Sequence, residues 1–458
     1  MRLSLKRNGA VLVLVVVATL AAPHGAAAAD AHQEVIDLVI DELRSGDPQR
    51  QAGAIAIVRD IPGEAITRSL AEELPKLSPA VQVQLLSTLA DRGDATALPA
   101  VSEAAGAQDE SVRIAALRAV SQLGGAEQIS MLAQRAARSG GQEQKAARDS
   151  LYRLRGPDVN ARILDGLKTA DAAVRVELIR AVGERNIVDG VPSLLQAAGD
   201  SDRKVRLESL KVLRIVADPK TLPALIDLTL TLAGESDRNE GERTVAAVAR
   251  KIEDPSGRAA SVLAVLPNTK KASDRASLLR MLGRIGDNSA LPALRAAMTD
   301  PEAELRDAAI RALSDWPTPE PVGDLLQVVQ TSDNPVHKVL SLRGFVRLLD
   351  APSDRSAQET VALYAKAMEL APNAIEKKRV LAGLGGAGTL PALQMAAQYL
   401  DDTALQVEAE SAVVRIAEKI QEVHRQECRE LLARVVRNTK NQTLREQAQG
   451  MIDGAATP

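Results

Sequence analysis

Apolar residues recur at helical spacing along most of the chain, in paired stretches joined by short turns. The clearest pair runs from Asn288 to Asp315. Its first half carries apolar residues at i, i+3, i+6 and i+7, one face of a 3.6-residue helix: Leu291, Leu294, Ala297 and Met298. The apolar face of its second half is formed by Leu305, Ala309, Ile310 and Leu313. We expect Asp300 to cap this second helix, because Pro301 then takes the first helical position, where a missing N–H costs nothing.

One such pair has no partner against which to bury its two apolar faces, so the pattern predicts a stack of similar pairs. From His32 onward the pairs follow at a period of about 30 residues, which gives about twelve to thirteen of them. Neither an alternating strand pattern nor a long linker interrupts them. The sequence therefore predicts an all-α protein, a right-handed superhelical α-solenoid that covers residues 30–458 as one domain.

The first 29 residues form a separate segment. A basic start is followed by an apolar run over residues 10–22 and an Ala-x-Ala site at residues 27–29. This is the order of a secretory signal peptide, and the run is too short for a permanent membrane anchor. We therefore expect cleavage before Asp30, export to the periplasm or the cell exterior, and no transmembrane anchor in the remaining chain.

Charge and aromatic content narrow the class of partner. The whole chain has a net charge of −3. Removing the leader takes away Arg2, Lys6 and Arg7 and no acid, which leaves −6, so bulk attraction to nucleic acid is not expected. Aromatic residues make up only 1% of the chain, which suits thin aliphatic layers between stacked helices better than one large core.

The second helices share an acidic turn followed by an aliphatic residue and an arginine. The pattern stands at Asp109/Val112-Arg113, Asp171/Val174-Arg175, Asp200/Val205-Arg206 and Asp300/Leu305-Arg306. It resembles the HEAT family of helical repeats, and the resemblance covers nearly all residues after the leader. It implies a stack of helix pairs in which the second helices line the concave side.

The C-terminal half also resembles the HEAT regions of large exported bacterial proteins, through Arg311–Leu326, His337–Leu349 and the stretch from Lys378 to Ile416. In that subgroup such regions often accompany a jelly-roll domain similar to 3-keto-disaccharide hydrolases, or a c-type cytochrome. Neither pattern is found in this sequence, which has no C-x-x-C-H motif. The resemblance therefore carries no enzyme activity over to this chain.

Cations repeat at two positions of the second helices, five residues apart and so on different faces. We expect the first row to pair with turn aspartates of neighbouring units, as in the family's Asp/Arg ladder; it consists of Arg113, Arg175, Arg206, Arg275, Arg306 and Lys338. The second row is either solvated or a ladder of cations for an acidic or phosphate-bearing partner. Its six members are candidate partner-binding residues: Arg118, Arg180, Lys211, Arg280, Arg311 and Arg343.

Trp316 is the only indole in the chain and lies in a turn with three prolines. One interpretation is that it plugs the junction between two units. The other is that it anchors a partner at the surface, which adds Trp316 to the candidate partner-binding residues.

Catalytic motifs such as H-E-x-x-H, C-x-x-C and G-x-S-x-G are absent from the sequence, and we expect no cofactor or metal. Gly383–Gly388 is expected to be a helix-ending turn, because no strand precedes it as in a dinucleotide loop. Glu408 and Glu410 are expected to be solvated surface. Cys428 is expected to be a partly buried helix residue rather than half of an intermolecular disulfide.

The sequence thus predicts a non-catalytic scaffold for protein–protein interaction in the periplasm or cell envelope, with a protein partner and no nucleic acid. The first alternative is an accessory or regulatory subunit of an exported carbohydrate-active or redox enzyme. A weaker alternative is an enzyme similar to the HEAT-like bilin lyases. The oligomeric state is left open.

Overall fold

A computed structural model describes residues 26–59 and 61–454. The predicted leader lies outside these residues, apart from its last four, which begin the first helix at Ala26. Every regular element of the described residues is helical. Contacts divide the chain into two compact units, one ending at Ala217 and the other starting at Asp218.

The first unit contains six helix pairs. In chain order they are α1 (Ala26–Arg44) and α2 (Pro48–Val58), α3 (Glu64–Glu73) and α4 (Pro79–Arg92), α5 (Leu98–Ala104) and α6 (Glu110–Leu123), α7 (Ile129–Arg138) and α8 (Gly141–Arg153), α9 (Val159–Thr169) and α10 (Ala172–Glu184), and α11 (Val191–Ala197) and α12 (Arg203–Val216).

The second unit contains seven pairs. They are α13 (Leu222–Thr231) and α14 (Glu235–Ala249), α15 (Ala260–Val265) and α16 (Ala272–Ile285), α17 (Leu291–Ala297) and α18 (Ala303–Ser314), α19 (Val322–Thr331) and α20 (Pro335–Leu349), α21 (Ala357–Leu370) and α22 (Ala374–Leu384), α23 (Leu390–Ala397) and α24 (Gln406–Ile420), and α25 (Arg425–Asn438) and α26 (Gln442–Gly454).

The predicted all-α solenoid of helix pairs is confirmed, and the thirteen pairs of the described residues agree with the predicted number. The apolar faces predicted for the pair at 288–315 are also confirmed. Leu294 and Leu305 are completely buried, at 0% exposure. A single domain over residues 30–458 stays a prediction.

Aspartates precede several second helices as N-cap residues. Their side chains accept hydrogen bonds from the N–H groups that the first helical turn leaves unpaired. Asp109 caps α6 in this way and Asp202 caps α12. The expected cap at Asp300 is wrong. α18 begins at Ala303, and Asp300 instead accepts the N–H of Glu302 within the turn, at 3.0 Å.

Within each unit, consecutive second helices pack directly against one another, whereas most consecutive first helices barely touch. Two glycines show how close this packing is. A Cβ at Gly344 of α20 would lie 2.5 Å from the carbonyl oxygen of Ser314, and one at Gly283 of α16 would lie 2.5 Å from Cβ of Ala312. The close layer of second helices positions the cations discussed next.

Candidate functional site on the second helices

The second helices expose one stripe of polar residues. On α18 this stripe consists of Glu304, Asp307 and Arg311, spaced i, i+3 and i+7, while Leu305 and Ala309 are buried. This spacing places three side chains on one side of a helix. The second-row cations lie on such stripes, one on each helix concerned.

Two arginines of the first row bind turn aspartates of the next helix pair, as expected from the family resemblance. Arg175 of α10 bonds to Asp200. In the second unit, Arg275 Nη2 of α16 donates to Asp300 Oδ2 at 3.1 Å. These contacts fix the turn between a first and a second helix against the preceding pair.

The following members of the first row bind the same turns through the backbone. Arg306 Nη1 donates to the carbonyl oxygen of Asp300 at 2.7 Å. Arg206 Nη1 donates to that of Asp200 at 2.9 Å. These four arginines of the first row are therefore used within the fold.

In the first unit the second row enters a network of ion pairs that joins α8, α10 and α12. Arg180 donates to Glu177 at 2.7 Å and to Glu208 at 3.0 Å. Arg148 donates two hydrogen bonds to Glu177, both 2.7 Å long. This contact is the main reason that the pKa of the Arg148 guanidinium is raised above its usual value. Lys211 Nζ lies 3.7 Å from Glu208. Glu177 is only 3% exposed, so these arginines supply hydrogen bonds that solvent does not.

Tyr152 of α8 lies beside this network. Its burial, followed by the negative charge of Glu177, raises the pKa of the phenol to about 12. Tyr152 is half-buried, and aromatic side chains beside arginines are common at the centre of protein interfaces. Tyr152 was not among the predicted site residues, because a lone tyrosine has no repeating pattern.

In the second unit, two second-row arginines bind buried glutamates. Arg280 Nη2 lies 2.8 Å from Glu242 Oε1, which also accepts a hydrogen bond from Ser277. Arg343 Nη2 lies 2.6 Å from Glu376 Oε1, and this contact raises the pKa of the arginine. These arginines hold two neighbouring second helices together.

Arg118 and Arg311 lack a partner on another helix. Arg118 is exposed and forms no ion pair within residues 26–59 and 61–454. Arg311 bonds to Asp307 of its own helix at 2.8 Å, and the other oxygen of Asp307 lies 3.1 Å from Nε2 of His337. The second row is therefore not a ladder of free cations, because most of its members bind an acidic side chain. Arg118, with no ion pair among the described residues, and Lys211, with a long one, have the weakest contacts.

The buried glutamates that neutralise cations of both rows were not predicted from the sequence. Glu143, Glu177, Glu242 and Glu376 are all buried. Although burial raises it, hydrogen bonds from Arg113 and Ser139 hold the pKa of Glu143 below its usual range. A usable signal was present, because several arginine and glutamate partners stand 28 to 33 residues apart, about one repeat.

The expectation that Glu408 and Glu410 are solvated is wrong. Glu410 is buried, at 2% exposure, and accepts a hydrogen bond from Gln406. Glu408 is half-buried and pairs with Lys378 of α22 at 3.1 Å. Glu408 therefore lies where α24 meets the preceding second helix, and Glu410 is enclosed within the fold.

Trp316 is not a surface anchor. Its side chain is 0% exposed, and Nε1 donates to Asn288 Oδ1 at 3.1 Å. Arg347 of α20 donates to the Trp316 carbonyl oxygen at 2.6 Å. The indole therefore fills the junction between two pairs, and its one polar atom is satisfied there.

The other candidates for chemistry have structural roles. Gly383 lies in the last turn of α22, and the turn to α23 begins at Gly385, so this stretch ends a helix as expected. Cys428 is buried in α25, and burial raises the pKa of its thiol. Among the described residues, no group of three or more His, Cys, Asp or Glu is placed to hold a metal ion. Within the same residues, no helix combines the length and apolarity needed to cross a membrane.

The family model of HEAT repeats matches residues 67–151, 160–246 and 259–342, which is more than half of the chain. The chain therefore belongs to the HEAT repeat family. No curated protein matches the sequence significantly.

Solved structures similar to this chain are long helical solenoids. Kap121p bound to Nup53p matches with a TM-score of 0.54 and 12% identity, over 98% of this chain and 57% of that one. Kap121p bound to Ste12p matches with a TM-score of 0.54 and 11% identity over the same shares. A chain in a homology model of the full-length AP-3 complex matches with a TM-score of 0.52 and 10% identity, over 98% of this chain and 93% of that one. The chain thus spans 57% of the karyopherin chains, and at these identities the likeness shows the fold alone.

Proposed function

We propose that this protein is a non-catalytic scaffold that binds a protein partner through the exposed stripes of its second helices. One observation carries the proposal. In each unit the close layer of second helices is cross-linked by ion pairs, such as Arg148–Glu177 in the first and Arg343–Glu376 in the second, so each layer holds its exposed polar side chains in fixed positions. A surface of this kind suits an extended protein contact better than a small reacting molecule.

The karyopherin structures are complexes with Nup53p and Ste12p, which supports protein binding as the use of a similar fold. An acidic partner stays a prediction. Since most of the second row is already neutralised, a preference for an acidic partner would depend on Arg118 and Lys211. Rim cations of this kind affect association rate and salt dependence more than the total affinity.

Affinity capture from a cell-envelope extract tests the scaffold function. The wild-type chain is compared with a variant carrying Arg118→Glu and Lys211→Glu, and with a control carrying Arg162→Glu and Lys220→Glu. The control residues are exposed cations on or next to first helices. We expect the wild type and the control to capture the same protein. The second-helix variant should capture a smaller amount of it. Equal capture by all three would contradict binding at these stripes.

We also propose export to the periplasm or cell envelope, which is supported by the basic and apolar pattern of residues 1–29. Sequencing the N-terminus of the chain from an envelope fraction tests it. The expected first residue is Asp30, and a chain that starts at Met1 would contradict the proposal. A hydrolase or cytochrome recovered as the captured partner would favour the accessory-subunit alternative.

A further inference from the structure

A groove of about 1190 Å³ lies between the first helices α3 and α5 of the first unit. Its volume exceeds the roughly 300–1,000 Å³ of ordinary small-molecule pockets. Both helices and the turns that follow them contribute to its walls. Pro79 and Gln82 of the second helix α4 also line it, but none of the second-row cations does, so it is distinct from the candidate site above.

Small and turn-forming residues explain why this space is not filled. α5 turns Ala100 and Ala104 toward the groove, and α3 gives way to a 3₁₀ turn containing Pro75. Leu74 and Leu77 close the floor and are buried. The second helices behind them already pack directly, so the first helices cannot approach further to close the gap.

The rim of the groove is acidic. Glu72 at the end of α3 and Glu103 at the end of α5 are both exposed, and neither forms an ion pair among the described residues. Arg68 is the only cation among the lining residues. Asp109 also lines the groove, but it lies beside Arg113, whose guanidinium donates to the carbonyl oxygens of Ala107 and Gln108. Since Glu72 and Glu103 lie in the last turns of their helices, the helix dipoles add to their negative potential.

We infer that this groove binds an amphipathic helix of a partner protein, with its apolar face on the alanine and leucine floor and its lysine or arginine side chains on Glu72 and Glu103. The inference rests on the proposed scaffold function. A helix fits because two first helices of consecutive pairs flank the groove, as in helix-in-groove recognition. The ten residues of α3 extend about 15 Å, the length of nearly three helical turns. The acidic rim repels nucleic acid and other phosphate-bearing ligands.

The test uses a fluorescent helical peptide of about fourteen residues, four turns, made of leucine and lysine. A second peptide has glutamate in place of lysine. Binding to the full chain is measured by fluorescence anisotropy. Ala100→Trp fills the groove, and Glu72→Lys with Glu103→Lys reverses its rim charge. Ala293→Trp at the equivalent position of α17 is the steric control. Glu418→Lys with Glu422→Lys, at exposed positions of the second unit, makes the same change in net charge.

We expect the lysine peptide to bind the wild type and both controls, and to bind the two groove variants about tenfold or more weakly. The glutamate peptide should not bind. Equal weakening by the charge control would show bulk attraction only and overturn the inference, as would unchanged binding by the rim variant. If circular dichroism shows that the Ala100→Trp variant is unfolded, the binding result of the variant with Glu72→Lys and Glu103→Lys decides the test. A partner captured undiminished by both groove variants would leave the scaffold function standing and overturn the groove as its site.

Discussion

Arg275 and Asp300 are 25 residues apart in sequence, yet Arg275 Nη2 lies 3.1 Å from Asp300 Oδ2. The same contact joins Arg175 to Asp200 in the first unit, 100 positions earlier. In both turns the aspartate also accepts a backbone N–H two residues later. Each aspartate therefore ties its own turn together and fastens it to the preceding second helix.

Removing this aspartate should destabilise the second unit. Asp300→Ala should lower the free energy of unfolding by about 1–2 kcal/mol, because Arg275 and the N–H of Glu302 lose an acceptor. The exposed residue Glu304→Ala serves as the control, since it makes no comparable contact. Thermal unfolding followed by circular dichroism measures both. Equal midpoints for the two variants would contradict the role of Asp300.

Leu294 should be a major contributor to packing within its helix pair. Its side chain is fully buried, and Leu294→Ala should cost roughly 2–5 kcal/mol through lost transfer energy and a residual cavity. Leu294→Met keeps the volume and should cost less than about 1.5 kcal/mol. Denaturant unfolding distinguishes them. A wild-type midpoint for the alanine variant would mean that the apolar face is wrongly placed.

Trp316 reports on the junction after α18, because it is the only indole in the chain. Its complete burial predicts blue-shifted fluorescence and weak quenching by acrylamide in the folded protein. Trp316→Phe removes the hydrogen bond to Asn288 and should cost about 1 kcal/mol, while Trp316→Ala should cost about 3–5 kcal/mol. Strong quenching in the native state would contradict the buried position.

Glu73 makes stability dependent on pH at the N-terminal end of the described chain. Hydrogen bonds from Arg44, at 2.6 and 2.5 Å, hold the pKa of this 2% exposed carboxyl below its usual range despite burial, and Lys76 adds a further contact. Because the folded pKa is lowered, the ionised form stabilises the fold above the ordinary glutamate pKa. That stability is lost as the pH falls through the lowered pKa.

The corresponding test compares the wild type with Glu73→Gln at different pH values. The variant should unfold at a lower temperature at pH 7, and the difference should shrink as the pH falls through the lowered pKa of the wild-type carboxyl. Glu64→Gln, at an exposed position of the same helix, should change little at either pH. A difference that persists undiminished at low pH would show that shape rather than charge matters at this position.

Local sequence determined the helices, their pairing and the buried faces. The periodicity of Leu291, Leu294 and Leu305 requires only the geometry of one helix, so it can be read from a single repeat. Repetition of that unit then determined the family and the stacked architecture. The placement of Cys428 in a helix and of Gly383–Gly388 at the end of one followed from the same local patterns.

Only the tertiary structure decided which polar residues are free. Arg180 and Arg118 occupy equivalent positions in their repeats. Only Arg180 contacts glutamates, one on its own helix and one on the next second helix, α12. Trp316 could be placed at a surface or in a core until its neighbours were known. Ion pairs between repeats and the groove beside Glu72 depend on how one pair is set against the next. That arrangement arises from side-chain packing over about 30 residues of separation, which helical periodicity does not encode.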